Sequence, residues 1–173
     1  HAHQQMRLDD KRFDGIYDIS ERLGKPLYIH TGTSPNPYTR MEPPYVDPLY
    51  LEESIKKYPG AIFIMGHSGY DSFLVKLTYL DSCIELAKKY ENVYIEPGAL
   101  GSRKASEILP IYLKRMKEEG IIDRVIYGSD GPQFPGYTAS HLNNMIDAME
   151  EVGYTGLEMK AVLESNFERV FDL

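Results

Sequence analysis

Hydrophobic runs long enough to cross a membrane are missing from this 173-residue sequence. No apolar stretch approaches the ~20 residues that a membrane-spanning helix needs, and the N-terminus lacks the charged and then apolar segments of a secretory leader. The 19 Lys and Arg residues are scattered rather than gathered in one run, and the net charge is −7. These features argue against a membrane or a nucleic acid as partner, and we expect a cytoplasmic protein.

Cysteine is nearly absent, and its scarcity excludes other classes of chemistry. The single cysteine, Cys83, cannot form an internal disulfide, and its leucine-rich helical context predicts a small buried residue rather than a nucleophile. No G-x-G-x-x-G motif follows a strand-like run, which disfavours a nucleotide-binding fold. With 42% hydrophobic and 26% charged residues, the composition is that of an ordinary globular protein, and we expect residues 1–173 to form a single domain.

Strand-like and helical segments alternate along the chain. The strand-like runs are PLYIH at 26–30, AIFIMGH at 61–67, VYIEPG at 93–98 and RVIYGSD at 124–130. Helical spacing covers residues 10–23, 48–57, 72–90, 103–119, 139–152 and 156–170. Gly24, Gly120 and Gly153 fall where three of these helices should end. The alternation predicts an α/β fold with parallel strands, as in barrels and doubly wound sheets.

A polar residue stands at the C-terminal end of each predicted strand. These residues are His30, His67, Glu96 and Asp130, separated by steps of 37, 29 and 34 residues. The carboxyl ends of parallel strands meet at one rim, where active sites of such folds are built. Imidazole and carboxylate together suit zinc and similar divalent ions. The spacing therefore predicts a site that binds a metal and activates water.

Each of these residues also has a structural interpretation. His30 or His67 alone is equally well explained as a core histidine, and Asp130 in YGSDGP fits a turn. Glu96 precedes Pro97 and could simply accept backbone amides. His141, inside a helical stretch, is interpreted as a surface or helix-packing residue.

Two further features have open interpretations. His1 and His3 form an H-x-H that would point to one face of a strand and bind a metal, or they are the remaining end of a strand. The loop 32–48 carries five of the 11 prolines. It is either a lid over a substrate or a surface excursion.

The chain resembles the amidohydrolase-related family of metal-dependent barrel hydrolases, a family that also includes decarboxylases. The resemblance rests on five motifs in order, followed through nearly the whole chain: LYIHTG, IMGHSG, NVYIEPG, VIYGSDGP and the closing SNFERVFDL. It implies a (β/α)8 barrel in which this chain covers about strands five to eight and the C-terminal helix.

The resemblance also implies roles for individual residues. His30 corresponds to the fifth-strand metal ligand, and Asp130 to the eighth-strand aspartate that binds the metal and acts as general base. His67 corresponds to the sixth-strand histidine, which is a metal ligand in hydrolases and handles protons in decarboxylases. The implied cofactor is a divalent metal, with zinc favoured, although a related branch hydrolyses lactones without one. Asn166 corresponds to an asparagine that ties down the closing helix.

Three functions follow from the resemblance. The first is hydrolysis of a small molecule by a metal-activated water. The second is non-oxidative decarboxylation of a cyclic acid at the same site, with Arg40 or Arg103 available for the substrate carboxylate. The third is a non-catalytic part of a barrel.

The resemblance covers only part of a barrel, which typically needs about 250 residues. His3 lies 27 residues before His30, one strand-helix unit, so His1 and His3 correspond to the end of the fourth strand rather than to the family's first-strand metal ligands. Half a barrel exposes strand edges and core surface. We therefore expect a homo-oligomer or association with a missing N-terminal half.

Overall fold

Three short strands form the sheet. In the computed structural model, which describes residues 4–36, 38–102 and 106–173, β1 is Leu27–His30, β2 is Phe63–Gly66 and β3 is Val93–Glu96. Their order is β1-β2-β3. β1 and β2 run parallel, and His30 pairs with Gly66 at the end of the ladder. Three of the four predicted strands are thus confirmed, each within the predicted range.

Two compact units divide the chain, one ending at Ile95 and the other beginning at Glu96. The first unit contains a 3-10 turn at Lys11–Phe13, α1 at Asp14–Leu23, α2 at Pro43–Val46, a second 3-10 turn at Pro48–Leu51, α3 at Glu52–Lys57 and α4 at Leu80–Lys89. Its core includes an aromatic group in which the ring of Tyr17 lies 5.4 Å from Phe63 and 5.8 Å from Tyr58. These rings fix α1 against β2, while Cys83 on α4 is fully buried, as predicted.

The second unit is mainly helical. It contains α5 at Leu109–Glu118, a 3-10 turn at Ile122–Arg124, α6 at Tyr137–Val152, α7 at Gly156–Lys160, a π-helical turn at Ala161–Ser165 and α8 at Asn166–Phe171. Buried Tyr112 and Met116 of α5 and Met145 and Met149 of α6 form its core. The buried Asn166 amide donates to the carbonyls of Ile122 (2.9 Å) and Val125 (2.8 Å), which ties the closing helix to the segment before Asp130 as expected.

The fourth predicted strand is wrong as a strand. Residues 126–130 do not form a strand, and in this segment Val125 alone makes an isolated β-bridge. Instead of extending a ladder, the Tyr127 N–H donates to the carbonyl of Val162 in the π-helical turn, at 2.9 Å. An apolar, β-branched run predicts extended backbone, but a strand also needs a neighbour in hydrogen-bonding register.

The predicted helix over 72–90 is shorter than expected. It begins only at Leu80, because Asp71 organises the preceding residues into a turn. The Asp71 carboxylate accepts from the N–H groups of Phe73 and Leu74, both at 3.0 Å, and Asp71 bridges Lys76. Such local capping by Asp competes with helix formation.

The predicted helix ends are confirmed, since Gly24, Gly120 and Gly153 have φ values of 60°, 70° and 79°. Among the described residues, none of the helices has the length and apolarity that a bilayer crossing requires.

Candidate active site

Two of the predicted site residues, His30 and His67, lie side by side in the first unit. His30 is the last residue of β1, and His67 directly follows the last residue of β2. Their ring centroids are 4.4 Å apart at an interplanar angle of 61°. His30 is half-buried, and His67 is 8% exposed. The parallel pairing of β1 and β2 therefore brings together two histidines that are 37 positions apart in the sequence.

The turn that carries His67 has an unusual backbone. His67, Ser68 and Gly69 have consecutive positive φ values of 64°, 50° and 69°. Each non-glycine residue in this left-handed region costs roughly 1–2 kcal/mol. Such conformations persist only where the surroundings fix them, and they cluster at functional sites. The turn is held by the Tyr70 N–H, which donates to the His67 carbonyl at 2.9 Å.

The loops after β1 and β2 are also tied to each other. The Thr31 hydroxyl donates to the carbonyl of Gly66 (2.8 Å) and accepts from the N–H of Gly69 (3.0 Å). Gly32 packs so closely on Tyr70 that a Cβ at position 32 would lie 2.1 Å from the Tyr70 carbonyl oxygen. The backbone around the two histidines is therefore interlocked.

Tyr28 is a third side chain at this pair that sequence reasoning missed. Its ring lies edge-on to His67, with centroids 6.2 Å apart and an interplanar angle of 88°. It covers Gly66, where a Cβ would lie 2.2 Å from the Tyr28 ring. The signal was present in the sequence, because residues i and i+2 of a strand point to one face and Tyr28 precedes His30 by two.

Asp130, the third predicted ligand, belongs to the second unit. It is exposed and has a φ of 57°, and the Gly131–Pro132 bond that follows is cis. The Tyr137 ring of α6 lies against Gly131, where a Cβ would lie 2.4 Å from the ring. Burial, and then the Asp130 charge, raises the pKa of Tyr137. The turn role and the metal-ligand role of Asp130 both stay predictions.

Glu96 is almost completely buried, with 4% of its surface exposed. Two glycines leave room for its carboxylate. A Cβ at Gly128 would lie 2.0 Å from Glu96 Oε1, and one at Gly98 would lie 2.7 Å from the same atom. Burial, and then the Glu96 charge, raises the pKa of Tyr127. Glu96 is thus a buried carboxylate beside Gly98 and Gly128, and its role as an acceptor of backbone amides stays a prediction.

His141 is a buried packing residue of α6, with 1% exposed. Its Nε2 accepts a hydrogen bond from the Gly101 N–H at 3.0 Å, and Asn144 one turn later donates to the Gly101 carbonyl at 2.8 Å. Burial lowers the pKa of His141. A neutral imidazole that accepts at Nε2 carries its proton on Nδ1. His141 and Asn144 thus bond both backbone polar groups of Gly101, in the loop after β3.

The histidine pair supplies some of the donors that a metal ion needs. Paired imidazoles are suitable zinc ligands, and a structural or catalytic zinc site needs three or four protein ligands. Across residues 4–36, 38–102 and 106–173, no group of three or more His, Cys, Asp or Glu side chains is arranged to hold a metal. The two histidines therefore fit part of a zinc site by their chemistry.

The other predicted positions contribute less. Arg40 in the proline-rich loop makes an ion pair with Glu42, with a closest distance of 2.5 Å, and lies over the Tyr45 ring. His1, His3, Pro37 and Arg103 lie outside the described residues. The alternative interpretations of the loop 32–48 stay predictions.

The chain belongs to the amidohydrolase family, because the family's sequence model matches residues 1–173. Protein fluG of Emericella nidulans is 27% identical over 128 residues, which are 74% of this chain and 14% of that protein. The chain thus spans only a small part of this relative.

Solved structures share the fold at low sequence identity. An amidohydrolase from Burkholderia multivorans with bound zinc superposes with a TM-score of 0.71 at 15% identity, over all of this chain and 63% of that one. A probable 2-pyrone-4,6-dicarboxylic acid hydrolase from Acinetobacter baumannii gives 0.68 at 16%, over 97% and 60%. The 5-carboxyvanillate decarboxylase LigW from Sphingomonas paucimobilis gives 0.61 at 16%, over 97% and 55%. The fold is therefore of the α/β, TIM-barrel type, and the chain spans about half to two-thirds of these structures.

Proposed function

We propose that this chain is the part of a metal-dependent hydrolase barrel that carries strands five to eight and the closing helix. The observation that supports this most directly is the His30–His67 pair, with ring centroids 4.4 Å apart at the ends of neighbouring parallel strands. Membership of the amidohydrolase family and the shared fold of a zinc-containing amidohydrolase support the same reading.

In this proposal, His30 and His67 would supply two ligands for a divalent ion, and the family resemblance assigns Asp130 as a third. Zinc is the ion that suits imidazole and carboxylate ligands best. When bound, such an ion lowers the pKa of a water and polarises a carbonyl. Asp130, whose carboxylate is exposed, would serve as the general base, which is the role that the family resemblance assigns to it. His67 is restrained by its left-handed turn and presents its imidazole as a ligand or as a second proton carrier.

The substrate class proposed is a small cyclic acid or its lactone or amide. Two solved structures with this fold are described by their action on ring carboxylic acids, one by hydrolysis and one by decarboxylation. The Tyr28 ring beside His67 offers a planar surface against which a ring could pack. Decarboxylation at the same residues is the second candidate. For that reaction Arg40 is a weaker substrate anchor than expected, because Glu42 already neutralises it.

A non-catalytic role is the third candidate, supported by the absence of a three-residue metal cluster among the described residues. Elemental analysis of the purified chain separates it from the other two. We expect about one divalent ion per chain, reduced strongly in His30→Ala, His67→Ala and Asp130→Ala. Asp18→Ala is the control, because it removes an exposed carboxylate of α1 that bonds Arg22 at 3.0 Å, and it should retain the ion.

The reaction type needs a separate measurement on the metal-loaded chain. A panel of cyclic lactones and aromatic acids should be assayed in parallel for acid production and for carbon dioxide release. Acid production lost in His67→Ala supports hydrolysis, and carbon dioxide release lost in the same variant supports decarboxylation. A parent chain that holds no metal would overturn the claim that this chain supplies a metal site on its own.

A further inference from the structure

A single buried hydroxyl connects the two segments that present His30 and His67. Thr31 follows His30 directly and has no exposed surface. Its hydroxyl donates to the Gly66 carbonyl at 2.8 Å and accepts from the Gly69 N–H at 3.0 Å. Gly66 and Gly69 lie on either side of His67 and Ser68. The Thr31 hydroxyl oxygen is therefore hydrogen-bonded to both ends of the turn that carries His67.

The backbone conformation of this turn requires stabilising contacts. Its three residues, His67, Ser68 and Gly69, all have positive φ values, and two of them bear side chains that disfavour this region. The backbone N–H of Thr31 also donates to the Gly66 carbonyl, at 2.9 Å, so the end of β2 is already fixed without the hydroxyl. The Gly69 N–H, by contrast, is bonded to the hydroxyl itself. Loss of the hydroxyl would therefore loosen the far end of the turn.

The geometry assigns Thr31 as a positioning residue that holds His67 beside His30. Its hydroxyl couples the backbone after β1 to the turn after β2, and so sets the distance between the two imidazoles. The inference deepens the proposed function and rests on it only where metal binding is concerned. Residues that orient metal ligands in this way typically change metal affinity by about 10- to 100-fold when altered.

Thr33 offers a matched control two residues further along. Its hydroxyl also connects the loops after β1 and β2. It donates to Asp71 Oδ1 at 3.0 Å and accepts from the Ser72 N–H at 2.9 Å. It is also buried, with 7% exposed. Thr33→Val removes an equivalent pair of bonds, but beyond the turn that carries His67. Thr31→Val and Thr33→Val should therefore have comparable effects on folding and different effects on the histidines.

The first readout is made on the metal-free chain. Ring-to-ring nuclear Overhauser effects between His30 and His67 report their separation directly, with histidine-selective labelling. We expect the effect in the parent, in Thr31→Ser, which keeps the hydroxyl, and in Thr33→Val. We expect it to be lost in Thr31→Val. An undiminished effect in Thr31→Val, or equal loss in Thr33→Val, would overturn the inference.

The second readout is zinc affinity, measured by competition with a chromophoric chelator. We expect Thr31→Val to weaken zinc binding by about 10- to 100-fold relative to Thr33→Val, and Thr31→Ser to restore it. If the parent binds no zinc, the proposed metal site fails, while the nuclear Overhauser result still decides the role of Thr31. If Thr31→Val does not fold, thermal unfolding curves of Thr31→Ser and Thr31→Ala separate the loss of the hydroxyl from the loss of packing. A Thr31→Ala variant that folds and keeps the contact between His30 and His67 would contradict the inference.

Discussion

At the scale of single residues, close backbone contact shapes the histidine pair as much as side-chain chemistry does. Gly32, Gly66 and Gly69 stand at points where a Cβ would collide with a neighbouring residue, at 2.1, 2.2 and 2.6 Å respectively. Each of these glycines lies within two residues of His30 or His67. The motifs LYIHTG and IMGHSG are therefore packing units as well as the segments that contain the two histidines.

Gly32 tests this packing. Gly32→Ala places a Cβ against the Tyr70 carbonyl in a left-handed conformation, with φ of 79°. We expect it to lower the free energy of unfolding by about 3 kcal/mol or more. Gly24→Ala is the matched control, because Gly24 has a φ of 60° and open space around it. It should cost only about 1–2 kcal/mol from the conformation itself. Urea unfolding compares the two, and equal losses would contradict the steric argument.

At the scale of elements, ion pairs connect helices around the first unit. Glu52 at the start of α3 accepts from Lys89 Nζ at the end of α4, at 2.5 Å, and from the Tyr90 hydroxyl at 2.9 Å. These bonds to Lys89 and then Tyr90 lower the pKa of Glu52 from its ordinary 4.5 to about 2. The pair is partly exposed, so its contribution to stability is modest and sensitive to salt.

The pH dependence of this link has a definite sign. Because the pKa of Glu52 is lower in the folded chain, its contribution is complete above about pH 4.5 and is lost as the pH falls through about 2. We expect the difference in unfolding free energy between the parent and Glu52→Gln to shrink over that window. Urea unfolding at several pH values measures it. In a Lys89→Met background, the difference in unfolding free energy caused by Glu52→Gln should be smaller than in the parent. A difference in the parent that grows on acidification would refute the role given to the Glu52–Lys89 pair.

At the scale of the whole molecule, β1 stands first in the order β1-β2-β3 and has one edge without a partner strand among the described residues. A cleft of about 330 Å³ lies along β1 and α1. It is lined by all four residues of β1, Leu27–His30, from both faces of the strand, together with Phe13 and Ile16 among others. A cleft that meets both faces of a strand follows its edge. Such an edge beside apolar residues is a position at which another strand adds.

We propose that in the isolated chain a second copy covers this edge. The apolar face of α1 supports this, because Ile16, Ile19 and Leu23 are 50%, 48% and 64% exposed at helical spacing. Sedimentation velocity should therefore report concentration-dependent association. Ile16→Glu should weaken it by placing a charge in the cleft, whereas Ile111→Glu, on the exposed face of α5, should not. A parent that stays monomeric at every concentration, or an equal effect of both variants, would contradict this assignment.

The sequence by itself determined much of this protein. Apolar β-branched runs and their polar ends predicted β1, β2 and β3 and named His30 and His67 as partners, because strand composition and parallel topology are local and periodic properties. The glycines at 24, 120 and 153 predicted three helix ends, because a left-handed conformation selects glycine wherever it occurs. The motifs also predicted the amidohydrolase family.

Only the tertiary structure decided the rest, because the remaining features depend on which segments meet. The run at 124–130 has strand composition, yet Tyr127 bonds a helical turn instead of a strand. The left-handed turn at His67 and Ser68 has no sequence signal, since these residue types rarely adopt it and the contact with Thr31 and Tyr70 supports it. The bonds of Thr31 and the burial of Glu96 likewise follow from contacts across 30 or more residues of sequence, which local patterns do not record.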